Sequence, residues 1–162
     1  MKNEFGFKQA WAWPERVEKF FKKEIKNKKS CHVFCGSSPL GDIRIDIEDN
    51  GHLTHKADIL QGLPFKDESF EVVFGDPPWH IAKHLRSKIM YEMRRICKVN
   101  GMIILNANWN PNNLRGCFLL EPIYISGGRM PFGNSAMIIR YLKIQSEKDR
   151  IIDLKNKEIN DG

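Results

Sequence analysis

The sequence predicts an α/β domain with an open, mostly parallel sheet and an antiparallel strand near its C-terminal end. Three observations carry that expectation. Short apolar runs rich in Val, Ile and Phe alternate with a segment of helical period or with brief crossovers. A glycine- and serine-rich loop follows the first run, and acidic residues close the next three. Ligands in open α/β sheets bind beyond the carboxyl ends of the strands, so these coincident signals mark one site.

The elements follow in order. Phe5 to Trp13 is aromatic-rich and lacks a clear period. Pro14 suits the first turn of a helix, and Val17, Phe20, Phe21 and Ile25 share one face, so a helix is expected from about Pro14 to Asn27. Lys28-Lys29-Ser30 is a connector. His32-Val33-Phe34 starts a short strand that breaks into Cys35-Gly36-Ser37-Ser38-Pro39-Leu40-Gly41. Ile43 to Ile47 alternates as a strand and ends near Asp46, Asn50-Gly51 is a turn signal, and Ala57 to Leu60 is a weak third strand. After the loop Leu63 to Ser69, Phe70 to Gly75 reads as a buried strand.

Ala82 to Lys98 is helical in period, with Leu85, Ile89, Met93, Ile96 and Cys97 on one face. Lys83, Arg86, Lys88, Arg94, Arg95 and Lys98 make the remainder basic, and Asn100-Gly101 is the expected terminator. Met102 to Leu105 is a fifth strand. Phe118 to Ile125 and Ala136 to Leu142 read as an antiparallel pair joined by a turn at Gly127-Gly128. One domain is expected over residues 1–145, with a charged tail, frayed or a short exposed helix, over 146–162.

Composition bounds the function without choosing it. A chain of 162 residues suits one sizeable core. A net charge of +6 leans toward a polyanionic partner. Cys31, Cys35, Cys97 and Cys117 form no C-x-x-C pair and are read as reduced, in a cytoplasmic compartment; zinc is not expected from their spacing. No run reaches the length of a membrane span, and no signal peptide is read at the start.

Asp76-Pro77-Pro78-Trp79 is the most specific signal. Proline removes backbone donors and stiffens the chain, leaving carbonyls as acceptors beside a carboxylate. Trp79 adds a flat face for stacking. An acceptor-rich rim beside an aromatic plate suits a planar amine such as the exocyclic NH2 of a nucleobase. The plainer reading is a proline-stiffened loop with Asp76 capping the next helix.

The other candidates are less specific. Glycine in the 35–41 loop would allow close backbone approach to a ligand, or simply a tight turn; neither a P-loop nor a G-x-G-x-x-G pattern is present. Asp46 suits the two hydroxyls of a ribose, or starts a turn with Glu48 and Asp49. Asp58 either accepts from an adenine amino group or does not take part. His80 and His84 have no third ligand nearby, so a surface or substrate-facing role is expected rather than metal binding. The basic face of the second helix is solvated or steers phosphate. Asn106, Asn108, Trp109 and Asn110 read a base edge or make turns. Trp11 and Trp13 cover the pocket or pack on the sheet.

Asp76-Pro77-Pro78-Trp79 resembles the [DNS]-P-P-[YFW] motif of the class I amino-directed methyltransferases, and its tryptophan form looks most like the adenine-N6 RNA and DNA members. The resemblance spans about residues 30 to 142. It implies a Rossmann-like sheet and S-adenosyl-L-methionine as cofactor. By the same resemblance Asp76, Pro77, Pro78 and Trp79 are the catalytic set. Cys35, Gly36, Ser37, Ser38, Gly41, Asp46, Asp58 and Ile59 would bind the cofactor, and Trp79, His80, Asn108 and Trp109 the substrate.

Two departures accompany it. Only a few residues separate Gly36 from Ile43, so the first crossover helix is missing or collapsed to a turn. No target-recognition domain fits in the chain, which implies that specificity comes from a protein partner or homodimer, a structured substrate, or short loops. The expected substrate is therefore DNA or RNA. The alternatives are guanine N2 in RNA, a protein glutamine, or a retired methyltransferase fold serving as a nucleic-acid-binding or partner subunit.

Overall fold

The computed structural model describes residue 13 and residues 15–49, 51–78, 81–109, 113–125, 136–149 and 151. Trp11, Pro14, Asn50, Trp79, His80, Asn110 and the Gly127-Gly128 turn lie outside them, as does most of the expected tail.

Among the described residues eight strands form one sheet: β1 (Ser30–Val33), β2 (Ile43–Asp46), β3 (His55–Lys56), β4 (Phe70–Gly75), β5 (Cys97–Ala107), β6 (Cys117–Leu119), β7 (Ile123–Ile125) and β8 (Ala136–Lys143). Their order is β3-β2-β1-β4-β5-β8-β6, with β7 also paired to β8. The first five strands are parallel in their pairings, and β8 runs antiparallel to β5, β6 and β7. The expected α/β sheet with a late antiparallel element is thus present.

Among the described residues one α-helix packs on each face. Helix α1 (Glu15–Ile25) buries Val17 and Phe21 against Leu40, Val72, Phe74, Ile104 and Ile138. Its apolar residues recur at helical spacing, and Glu15–Lys19 and Glu18–Lys22 pair one turn apart on the exposed side. Asn27, at φ 59, ends it in the left-handed conformation that asparagine tolerates. Helix α2 (Lys83–Ile96) sets Ile89, Met93 and Ile96 into the other core, with Cys31, Val33, Val73, Ile103, Ile139 and Tyr141. Burying each such side chain contributes about 1.5–3 kcal/mol, so these two cores dominate the stability.

The shortened first crossover is real. Residues 34–42 alone join β1 to β2, although the strands pair in parallel with Cys31 opposite Ile43. A parallel connection usually needs a helix. Here Ser38 N donates to Cys35 O at 2.9 Å in a single tight turn, and Leu40 tucks into the α1 core in place of one.

Several boundaries differ from expectation. The third strand is His55–Lys56, and Ile59–Gln61 is a 3-10 turn. The Asp58 carboxylate caps that turn by accepting from Leu60 N at 2.9 Å, a side-chain bond that diverts the backbone from the ladder. Helix α2 stops at Ile96, and Asn100-Gly101 is an irregularity within β5. Asn100 sits at φ 62 there, and a Cβ on Gly101 would lie 2.7 Å from Glu71 O. The single strand expected over 118–125 is two, β6 and β7, because Pro122 cannot donate to a ladder.

At the start of the expected tail residues 147–149 are helical, with Lys148 and Asp149 exposed and Glu147 turned inward. Glu147 is 5% exposed and pairs with Arg94 and with Lys143 at 3.1 Å. Arg94 and Lys143 are themselves buried, and Lys143 Nζ donates to Cys97 O at 2.8 Å and Arg94 O at 3.1 Å. Glu68 balances the charge, at 3.4 Å from Lys143. No described helix is long and apolar enough to cross a membrane.

Candidate active site

Strand order reverses at β1, whose neighbours are β2 on one side and β4 on the other. In open α/β sheets ligands bind outside the carboxyl ends of the strands at such a reversal. Register sets what meets there. Val33 is level with Ile45 on β2 and with Gly75 on β4. The next residues are Phe34, Asp46 and Asp76, so the two carboxylates flank the end of β1. At about 4.8 Å per strand their backbone positions are about 10 Å apart.

The β1 end is shaped by its backbone. Phe34 at φ 57 and Gly36 at φ 49 turn the chain over the strand. Cys35 N still donates to Ile45 O at 3.1 Å. Asp46 Oδ2 accepts from Gly36 N at 2.9 Å and Oδ1 from Ile47 N at 2.8 Å. The carboxylate thus fixes the loop that faces it. A carboxylate offers about four lone-pair sites, so accepting capacity remains for a diol. The Cys35 thiol is pushed up to about 11, by burial first and by Asp46 second, and is a neutral group at neutral pH.

Asp76 is half-buried just beyond β4, with Pro77 buried and Pro78 exposed after it. Trp13 Nε1 donates to Asp76 Oδ2 at 2.9 Å. Trp13 stacks on Phe21 with centroids 4.2 Å apart and lies 5.1 Å from His32, which stacks on Phe74 at 4.3 Å. The site therefore has an aromatic floor drawn from α1, β1 and β4. Trp13 packs on the sheet, one of the two roles read from the sequence, and also reaches the Asp76 carboxylate.

His32 is neutral in this floor. Burial pushes its pKa down to about 3. Its Nδ1 lies 3.2 Å from Leu40 O, an acceptor, so the proton sits on Nδ1. Asn106 faces the same side one strand over, level with Asp76. It is 6% exposed, and its Oδ1 finds no donor among the described residues. Sequence reasoning placed Asn106 after β5, where it would be one of several loop amides; its burial inside the strand sets it apart.

The other expected site residues scatter. Ser37 is exposed, and Ser38 Oγ accepts from Leu40 N at 3.3 Å. Gly41 lies at the opposite, amino end of the sheet: the next residue, Asp42, accepts from Ser30 N at 2.8 Å. Asp58 uses one oxygen as a cap. Ile59 is buried in the α2 core and lines a cavity of about 390 Å³ with Lys88, Tyr91 and Arg95, to which neither Asp46 nor Asp76 contributes. Asn108 and Trp109 follow β5, and one face of the Trp109 ring is taken by the Arg86 guanidinium, 4.4 Å from its centroid. Trp79 and His80 lie outside the described residues.

The basic face of α2 is also smaller than its sequence implies. Arg94 is buried in the ionic cluster. Arg95 bonds Glu92, Asp67 and the carbonyls of Leu63 and Phe65, holding the 63–67 loop. Arg86 donates to Ile81 O at 3.3 Å. Lys83, Lys88 and Lys98 are left exposed. Among the described residues no group of three His, Cys, Asp or Glu is arranged to hold a metal ion.

No protein-family model matches the chain, and no curated protein matches it. Solved structures do. The N-methyltransferase NodS from Bradyrhizobium japonicum WM9 matches with a TM-score of 0.57 at 10% identity, over 81% of this chain and 96% of that one. A SAM-dependent methyltransferase from Aquifex aeolicus gives 0.54 at 12% identity, over 81% and 89%. The [4+2]-cyclase SpnF gives 0.59 at 11% identity, over 80% and 81%. Strand order, late antiparallel element and these likenesses agree: the fold is that of the class I S-adenosylmethionine-dependent methyltransferases.

Proposed function

We propose that this chain is an S-adenosylmethionine-dependent N-methyltransferase acting on an exocyclic amino group of a nucleobase, adenine N6 in DNA or RNA before others. The observation that carries the reading is the carboxylate pair around β1: Asp46 tied to Gly36 on one side, Asp76 ahead of two prolines on the other.

The residues fit the cofactor. A glycine with positive φ beside a strand-end carboxylate makes a cradle for a ribose, and Asp46 keeps capacity to accept its hydroxyls. Bound S-adenosylmethionine supplies a sulfonium methyl group and leaves as a neutral thioether. The rest of the work falls to the chain. An aromatic amine is a weak nucleophile because its lone pair is delocalised. Asp76 and the Pro77 carbonyl would each accept one N–H, drawing the nitrogen toward a tetrahedral shape. Asn106 Oδ1 offers a further acceptor on the same side. The proton shed as the N–C bond forms passes to Asp76 or to water. Most of the gain comes from orientation and placed acceptors. Trp79 would stack on the base.

A net charge of +6 supports a nucleic-acid substrate. Target recognition would come from a protein partner or a second copy of the chain. One observation favours a second reading, a retired fold that binds nucleic acid or a partner: the crossover over 34–42 has no helix to present its N-terminus to a ligand. A cyclase among the structural neighbours also shows that this fold does not by itself select a reaction.

The test is methyl transfer from labelled S-adenosylmethionine to single-stranded DNA, duplex DNA and RNA, followed by nucleoside mass analysis. The expected result is N6-methyladenine, lost at least about 100-fold in Asp76→Ala while cofactor affinity changes little. Transfer only to a protein or small amine would replace the nucleobase. Neither transfer nor cofactor binding would establish the retired fold.

A further inference from the structure

We propose that Trp13 is the positioning residue of Asp76: its indole N–H fixes the orientation of the carboxylate that receives the substrate amine. The inference rests on the methyltransferase reading and assigns to the segment before α1 a part in the site.

The geometry separates packing from positioning. The Trp13 ring is already held by stacking on Phe21 and by its contact with His32. A phenylalanine would keep an apolar ring in that stack, over a smaller area. What only tryptophan adds is a donor, and that donor meets Asp76 Oδ2 at 2.9 Å, 63 positions away in sequence. An indole N–H is a donor only, so it takes one acceptor site of the carboxylate and leaves the others to the substrate's N–H groups. A carboxylate has about four acceptor sites, and the indole occupies one at Oδ2.

Orientation is the quantity at stake. The terminal torsion of an aspartate has broad rather than staggered wells. A bond from a rigid ring to Oδ2 narrows the range of orientations open to it. The ring is rigid because its floor is shared by three elements, with Phe21 from α1, His32 from β1 and Phe74 from β4 in one stack. Preorganised acceptors gain their advantage by needing no rearrangement as the reaction proceeds. Trp13 therefore acts through Asp76, without touching the methyl donor.

The experiment uses Trp13→Phe in the full chain, with two readouts. The first needs no activity. The Trp13 indole resonance in a proton–nitrogen spectrum, identified by its loss in Trp13→Phe, should move and exchange faster with solvent in Asp76→Ala. The second is kinetic: Trp13→Phe should lower kcat at least tenfold while S-adenosylmethionine affinity by calorimetry and Tm stay near wild type. An indole resonance indifferent to Asp76→Ala, or wild-type kcat in Trp13→Phe, overturns the proposal. So does a loss of kcat matched by equal losses of affinity and Tm, which is what a packing role alone would give. A wild-type protein that transfers no methyl group to any acceptor overturns the functional reading instead, and the indole resonance then decides whether Trp13 holds Asp76.

Discussion

The indole nitrogen of Trp13 lies 2.9 Å from the carboxylate of Asp76, joining the start of the described chain to the end of the central strand β4. Trp13 precedes α1, and Phe21 on the inner face of that helix stacks on its ring.

Asp46 should control cofactor affinity. Replacing it by alanine removes the acceptor of both Gly36 N and Ile47 N, each a charge-assisted bond worth about 1.5–3 kcal/mol. The expected result by calorimetry is S-adenosylmethionine binding weakened at least about 30-fold, in line with about 2 kcal/mol lost. Asp46→Asn, which keeps one acceptor oxygen, should lose less. An unchanged dissociation constant would remove Asp46 from the site.

Glu147 should matter far more to stability than its place near the C-terminal end implies. It sits with Arg94 and Lys143, both essentially inaccessible. Breaking a buried pair by removing one partner costs about 3–5 kcal/mol, because a charge is left uncompensated. Glu147→Gln should show that loss in urea unfolding. Glu18→Gln, which breaks an exposed pair with Lys22, should cost at most about 0.5 kcal/mol. Equal effects would mean that the cluster carries no special weight.

His32 should make the fold acid-sensitive. Burial lowers its pKa from 6.5 to about 3. Between those values the unfolded chain binds a proton that the folded chain refuses. The contribution to stability is therefore fully present above about pH 6.5 and is lost as pH falls toward 3, by about 1.4 kcal/mol per unit. Tm followed from pH 7 to pH 4 should fall more steeply in wild type than in His32→Phe. Parallel curves would show that His32 becomes protonated without cost.

Gly75 should tolerate no side chain. A Cβ there would stand 2.3 Å from Val33 O on the neighbouring strand. Gly75→Ala must push β1 from β4, at a cost near or above about 3 kcal/mol, the upper part of the overpacking range. Gly51→Ala meets nothing within 4 Å and suffers only the strain of its positive φ, about 1 kcal/mol. Thermal melts of the two variants separate the effects, and equal Tm losses would contradict the close approach at β4.

The sequence announces the sheet because its central strands are buried on both faces, and such strands read as unbroken apolar runs. Phe70 to Gly75 matches β4 residue for residue. Asp46 and Asp76 were legible for a related reason: an acid ending an apolar run marks a strand terminus. What stayed hidden depends on tertiary partners. Nothing local distinguishes Arg94 from Arg95, yet one is buried against Glu147 and the other clamps a loop at 27% side-chain exposure. Asp58 reads as a strand-end acid but acts as a cap, since the competing bond to Leu60 N is two residues away. Gly41 belongs to the same loop as Gly36 in sequence, but the crossover carries it to the other end of the sheet. The bond from Trp13 has no sequence signature, because its two ends meet only after β1 and β4 have paired.

The split between β6 and β7 bears on how the molecule behaves in concentrated solution. A long exposed edge strand is a template for further strands. Among the described residues one edge is β3, of two residues, and the other is broken into two pieces of three residues each, parted at Pro122. Neither described edge offers a continuous row of donors and acceptors on which another chain could extend the ladder. Strand addition is disfavoured along both.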